Sequence, residues 1–491
     1  MSDVRQTFST ASVASLDSPQ AYIEETPIWR DGTDVDSSIL TGMQWRIWWL
    51  ACAGKFFEGM VVFMTGIALP LIGREFKLTA VEHGLVSSAI LFGILIGATA
   101  LGGLADRFGR RAMFIVEMAL FIAFLLVLSI APNLAITLIA LFGVGLALGC
   151  DYPTAHMVIS ENIPARARGR MVLGAFSFQA VGALSGTGLA FLTLTWFPDP
   201  EAWRWMYLTA VPPALLILAG RFFVPESSNW LIVRGRVAEA ETALLRLLNR
   251  RPRYPSEISL KAETAASPHA HKVKWSRFLT DRKLRKATIF ASVPWFLQDL
   301  GTYGIGIFTP VILASSIGNK REHAQSLSDL VYNDLLAAKG AALIDVLLIV
   351  GIVFAVMFTD RIGRVRLQVI GFIGCAVGLA IAASGNHAGS GWDVPLIFAG
   401  FMLFNFMTNM GPNAQTYLIA GEVFPVAYRG TGAGLAASFA KIGAVLTAFL
   451  FPILLKDLGT DVLLAGLVVT SLLGAVVTWV YRIETRGAGL G

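Results

Sequence analysis

Gly102-Gly103-Leu104-Ala105-Asp106-Arg107-Phe108-Gly109-Arg110-Arg111 stands between two long apolar runs, and Phe358-Thr359-Asp360-Arg361-Ile362-Gly363-Arg364-Val365-Arg366 stands between two others half a chain later. Each is a tight, Gly-containing, Arg-rich hinge of the kind that joins two membrane helices on the cytoplasmic side. A hinge that recurs at such a distance marks an internal repeat. Two copies of one helical bundle in a membrane is a build that carries solutes across it.

The composition agrees. Of 491 residues 55% are hydrophobic and only 15% charged, and the mean hydropathy is +0.65. A soluble chain of this length carries far more charge. The 48 Gly suit membrane helices whose backbones approach closely. The net charge of +6 sits in short loops and one central segment, so it does not point to nucleic acid. Cys52, Cys150 and Cys375 all fall in apolar runs without metal-ligand spacing, which reads as small buried residues. Residues 1–40 are polar and have no apolar core flanked by positive charge, so they read as a flexible cytoplasmic tail and not as a signal peptide.

A spanning helix needs about 20 mostly apolar residues. Twelve stretches qualify, near 45–72, 84–105, 112–131, 134–160, 171–194 and 204–224, then near 287–315, 340–358, 367–384, 394–420, 432–455 and 461–482. The expected fold is therefore an all-α integral membrane protein with two pseudo-symmetric six-helix bundles, 41–224 and 286–484. A central cytoplasmic loop, 225–285, separates them, and 485–491 form a short cytoplasmic tail. Lys and Arg cluster in the loops at 107–111, 166–170, 361–366 and 429, whereas the turn at Pro132-Asn133 and the segment 195–202 have none. The positive-inside rule then places the basic loops and both termini in the cytoplasm. Trp45, Trp48 and Trp49 fit an interfacial anchor or plain lipid-facing packing. The basic segment 257–286, with Trp275, suits anionic lipid headgroups.

The two Gly-Asp-Arg-Gly-Arg loops, the six-plus-six layout, Pro225-Glu226-Ser227-Ser228-Asn229-Trp230-Leu231 after the sixth span and Glu484-Thr485-Arg486-Gly487 near the end resemble the sugar-porter-like branch of the major facilitator superfamily. Within it, Gly149-Cys150-Asp151-Tyr152-Pro153, Trp295-Phe296-Leu297-Gln298-Asp299 with Tyr303-Gly304, Gly411-Pro412-Asn413, Gly421-Glu422-Val423-Phe424-Pro425 and Lys441-Ile442-Gly443-Ala444 look most like the phosphate:proton symporters. That resemblance implies substrate contacts at Tyr152, Gln179, Trp295, Asp299, Tyr303, Asn413 and Lys441. It implies proton coupling through Glu58, Asp151 and Asp299. It also implies a gate in which Asp106, Arg107, Arg110 and Arg111, with Asp360, Arg361 and Arg364, hold the halves closed on the cytoplasmic side. One position departs: the first span carries Glu58, but Val61 stands where the family has a second acid.

The residues themselves give a parallel reading. An ionisable group in a membrane helix needs a cavity or a partner. Trp295, Asp299 and Tyr303, at i, i+4 and i+8, form one stripe of indole N–H, carboxyl and phenol that can hold a small oxyanion, or else a packing stripe with Asp299 bonded to a neighbour. A protonated Asp299 can donate to an anion and an ionised one repels it, so loading would require a proton. Gly301, Gly304 and Gly306 suggest that this span bends or breaks. Lys441 needs a counter-charge such as Asp299 or Asp151. Glu58 reads as a proton carrier or as the partner of Lys55 in a local ion pair. His156 reads as a bonded structural histidine or a proton aid, and Glu117 and Asp345 as structural.

The expectation is a multi-pass plasma- or inner-membrane, proton-coupled importer of a small anion, inorganic phosphate first, acting as a monomer in the lipid bilayer and needing no cofactor. The alternative keeps the fold and carries a sugar or small carboxylate. A non-transporting nutrient receptor is a further reading. An enzyme is not expected, because paired metal ligands, a nucleophile elbow and a phosphate-cradling Gly-Lys-Ser/Thr loop are all missing.

Overall fold

The computed structural model describes residues 18–24, 40–101, 104–249, 258, 260, 277–318, 327–385, 392–424 and 429–483, which are helical almost throughout. Long apolar runs become helices in a bilayer because only a helix satisfies every backbone group within its own segment. Local signals fix the ends. Span 1 (Gly42–Phe76) starts at a Thr41/Gln44 capping box and stops at Lys77, whose φ is 52°. Span 2 (Ala80–Ile96, continued by a π turn over Gly97–Leu101) starts at a Thr79/Glu82 capping box.

Spans 3, 4 and 5 are Arg110–Ser129, Leu134–Asn162 and Ala165–Trp196. Span 6 is broken into Ala202–Leu208 and Val211–Arg221, because Pro212 and Pro213 have no amide hydrogen to continue the ladder. Spans 7, 8 and 9 are Arg282–Gly318, Leu327–Ile362 and Arg364–Gly385. Span 10 breaks at Gly411 into Asp393–Met410 and Pro412–Glu422. The helical stretch Arg429–Tyr481 turns at Gly459 (φ 80°, ψ 171°), which divides it into spans 11 and 12. Ten helices among the described residues are each long and apolar enough to cross a membrane. Counting the last of them as two and adding the broken span 6 gives the twelve crossings expected.

Span 7 corrects the expectation of a break. It runs unbroken past Gly301, Gly304 and Gly306. These glycines serve close packing instead: a Cβ on Gly306 would meet the Phe63 ring at 2.7 Å, and one on Gly304 would meet Thr447 at 3.1 Å.

The repeat read from the two hinges is geometric as well. Gly109 and Gly363 both take a positive φ, 104° and 98°, which turns the chain directly into the next helix. The first residue of that helix is an arginine each time. Arg110 pairs with Glu161 at the end of span 4 at 3.0 Å, and Arg364 pairs with Glu422 at the end of span 10 at 2.7 Å.

Part of the linking segment is structured. Ser228–Val233 and Val237–Leu247 form helices, the second amphipathic, and they build a small separate core around Leu231, Leu244 and Leu247. Residues 18–24, within the stretch expected to be a flexible tail, contain the helix Pro19–Glu24, and Tyr22 and Ile23 are buried in the same core. The apolar pair supplies the reason. Before span 7, the backbone N–H groups of Leu284 and Lys283 bond Asp281 and hold its carboxyl below the usual carboxylate range. Trp275, Glu484-Thr485-Arg486-Gly487, Pro425, Gly102 and Gly103 lie outside the described residues.

The halves, spans 1–6 and 7–12, touch at several levels. On the face opposite the basic loops, Arg74 of span 1 pairs with Asp334 of span 8 at 2.9 Å, and the Ser87 hydroxyl donates to the Ala448 carbonyl at 2.6 Å. Toward the basic face, Phe176 of span 5 stacks on Tyr417 of span 10 with centroids 4.5 Å apart.

Candidate functional site

Midway along spans 1, 5, 7 and 11 the halves enclose a polar cluster. Glu58 is its hub. Its Oε2 accepts from Lys55 Nζ at 2.5 Å, one helical turn away. Its Oε1 accepts from Tyr303 Oη at 2.9 Å and from Lys441 Nζ at 3.0 Å. Lys441 also donates to Tyr303 Oη at 2.6 Å and stands 3.8 Å from Asp299 Oδ2. Gln179 Nε2 donates to Tyr303 Oη at 3.1 Å. Spans 1 and 5 supply Lys55, Glu58 and Gln179; spans 7 and 11 supply Asp299, Tyr303 and Lys441. The cluster thus joins the halves by charge-assisted hydrogen bonds, the stronger kind in a low-dielectric setting.

A cavity of about 100 Å³ opens beside it, lined by Lys55, Glu58, Gln179, Trp295, Asp299, Tyr303, Asn413 and Lys441. The Trp295/Asp299/Tyr303 stripe therefore faces the cavity as the i, i+4, i+8 spacing implies. Trp295 meets Tyr417 edge to face at 6.1 Å, under the Phe176–Tyr417 stack. Asn413 donates to Asn409 Oδ1 at 2.6 Å. Asp299 Oδ2 accepts no hydrogen bond among the described residues, although Lys441 is near.

Two lysines and two acids share this space. The sequence reading assigned Lys441 to Asp299 or Asp151; the nearer acid is Glu58, and Asp151 is engaged elsewhere. Asp151 Oδ1 stands 2.6 Å from Arg221 Nη1. Arg221 is fully buried, donates to the carbonyls of Phe114 and Leu50, and lies over the Phe114 ring at 3.5 Å. Asp151 instead lines a smaller cavity of about 30 Å³ with Lys55, Glu58, His156 and Tyr417. Glu117 accepts from Thr154 at 2.8 Å, and Asp345 accepts from Asn405 at 3.1 Å, both buried. The side chain of Tyr152 lies outside the described residues, as does that of Asp360.

The basic loops bond mainly within their own halves. Asp106 pairs with Arg110 at 2.9 Å. Glu226 accepts from the backbone N–H of Arg110 and Arg111 at 2.9 and 3.1 Å, so the Pro-Glu-Ser stretch caps span 3. Arg111 donates to the Phe222 carbonyl, Arg107 lies over Phe108, and Arg361 is exposed.

Sequence reasoning missed one cavity-lining residue and one buried counter-charge. Lys55 was read as half of a local pair, yet it lines the cavity. Arg221 was not singled out, although an arginine inside an apolar run already signals a buried partner.

The sugar (and other) transporter family matches residues 32–490 of the chain. The glucose transporter GlcP of Staphylococcus epidermidis is 31% identical, with 86% of this chain and 90% of that protein covered. The galactose-proton symporter of Escherichia coli is 27% identical, with 83% and 84% covered. The xylose transporter XylE from E. coli, in a partially occluded inward open conformation, shares the fold at a TM-score of 0.71 and 21% identity, with 91% and 99% covered. All three are named for sugars and none for phosphate, so the finer resemblance to phosphate:proton symporters gives way to the wider family.

Proposed function

The chain belongs to the sugar (and other) transporter family, and from that premise we propose that it is a proton-coupled importer of a sugar or similar small metabolite, working by alternating access. It is a multi-pass membrane protein and not an enzyme. The basic face is assigned to the cytoplasm of a plasma or inner membrane, with both termini on that side.

The observation that carries this reading is the cluster of Glu58, Tyr303, Lys441 and Gln179. It ties the halves together at mid-depth beside a cavity that both of them line. At about 100 Å³ that cavity is smaller than the few hundred Å³ of an ordinary small-molecule site. Cargo therefore enters only as the halves part and the cross-half bonds give way. Gln179, Asn413, Trp295 and Tyr303 offer the amides and aromatic rings that sugar hydroxyls need. Asp299, whose Oδ2 accepts no hydrogen bond among the described residues, is the group we assign to proton uptake, with Lys441 answering its change of charge.

A small oxyanion such as inorganic phosphate is the second reading, favoured by the two ammonium groups on the cavity wall. Against it, two acids already match them. One assay separates the readings. Purified protein in liposomes is given labelled D-glucose, D-galactose or D-xylose, with and without an inward proton gradient, and with phosphate as competitor. Gradient-driven sugar accumulation insensitive to phosphate supports the first reading. Phosphate uptake in place of sugar uptake supports the second. A protein that binds either solute without moving it is the receptor.

A further inference from the structure

Lys55 stands between two cavities. It lines the larger one with Asp299 and Lys441, and the smaller one with Asp151 and His156. Its ammonium is 2.5 Å from Glu58 Oε2 and 5.3 Å from the centroid of Phe176, the ring that stacks on Tyr417. The other oxygen of Glu58 serves the opposite half, where Tyr303 and Lys441 reach it. Glu58 therefore has a separate cation on each oxygen, one from its own half and one from the other.

We infer that Lys55 is a positioning residue: by holding Glu58 permanently from within span 1, it frees Lys441 to exchange between Glu58 and Asp299. The reason is the cost of stranding a buried charge. Were Lys441 the sole counter-charge of Glu58, it could not leave without abandoning a buried carboxylate. With Lys55 in place, Lys441 can travel the short way to Asp299, 3.8 Å distant, when that acid gives up its proton. Its departure breaks one of the two cross-half bonds to Glu58 and leaves that of Tyr303. The proton goes from the Asp299 carboxyl to solvent, and no covalent step is involved. The contact of Lys55 with Phe176 passes the same event to the Phe176–Tyr417 stack between the halves.

Among the described residues, the charged and titratable groups facing Glu58 are Lys55 on span 1, Asp299 and Tyr303 on span 7 and Lys441 on span 11; span 5 presents the neutral Phe176 and Gln179. Asp151 on span 4 shares the smaller cavity but is matched by Arg221. The central set thus balances two lysines with two acids. Removing Lys55 leaves one excess negative charge, which a proton must offset.

The inference rests on the transporter reading, but its test needs no substrate. Trp295 lines the cavity, so its emission, taken as full-length protein minus Trp295→Phe, reports on the cluster. In purified protein this emission titrates with pH. Lys55→Met moves the midpoint up by on the order of one to three pH units, and Lys55→Arg leaves it in place. Removing the unmatched acid as well, in Lys55→Met/Glu58→Gln, returns it toward the starting value. Lys55→Gln serves as the second neutral variant if the methionine chain does not fold. A Trp295 signal that does not titrate, a midpoint unmoved by Lys55→Met, or a double variant no closer to the original than the single overturns the inference. Failure of every sugar in the liposome assay would refute the proposed cargo and leave this result standing.

Discussion

Glu58 and Lys441 belong to opposite halves of the chain, 383 positions apart, and meet at 3.0 Å in the middle of the membrane body. In the alternating access proposed above, a bond at that depth between the halves has to be remade in every cycle. Lys441 has a second acid, Asp299, within 3.8 Å, so it has somewhere to go.

Asp299→Asn removes the proton acceptor proposed above while keeping the shape. We expect gradient-driven accumulation to vanish, while exchange of labelled for unlabelled sugar across the membrane persists within about tenfold. Coupled uptake and counterflow measured in the same liposomes check this. Accumulation that survives the substitution would place the coupling proton elsewhere.

Lys441→Met should behave differently from a typical broken buried pair. Glu58 keeps Lys55, so the thermal stability falls by less than the roughly 3–5 kcal/mol of an abandoned charge, while transport is lost. Scanning fluorimetry beside uptake separates the two effects, and a collapse in stability would contradict the assignment.

Arg221→Met should be among the most damaging single changes, because it strands Asp151 in the interior of the first half. The expected loss is roughly 3–5 kcal/mol. Adding Asp151→Asn should recover part of it. The unfolding temperatures of the parent, Arg221→Met, Asp151→Asn and the double variant test the coupling, and an additive double variant would show that none exists.

Arg74 and Asp334 pair between the halves on the face opposite the basic loops. Arg74→Ala should shift the protein toward opening on that side, raising the labelling rate of a cysteine placed at Val61 or Ile307. Charge reversal in both partners, Arg74→Asp with Asp334→Arg, should restore slow labelling. Equal labelling in all forms would make the pair incidental.

The class of fold was legible from end to end, since twelve apolar stretches, two Arg-rich hinges and the Pro-Glu-Ser segment are local features. Gly109 and Gly363 even kept their matching backbone turns. The stripe of Trp295, Asp299 and Tyr303 was legible too, because helical spacing fixes which side chains share a face. The partners of those side chains were not. Asp151 and Lys441 looked compatible as a pair, and so did Lys441 with Asp299. Only distance shows that Arg221 has already claimed Asp151 and that Glu58 stands between the two lysines. The buried helix at Tyr22 and Ile23 was likewise hidden in a polar tail, where two apolar residues are too weak a pattern to read.

By itself, then, the order of residues determined a twelve-span, two-part membrane body and the small set of ionisable groups within it, because hydropathy and helical period act over a few turns of one segment. The tertiary structure alone decided how those groups pair, because a charge excluded from water takes whichever counter-charge the packing of distant helices brings nearest.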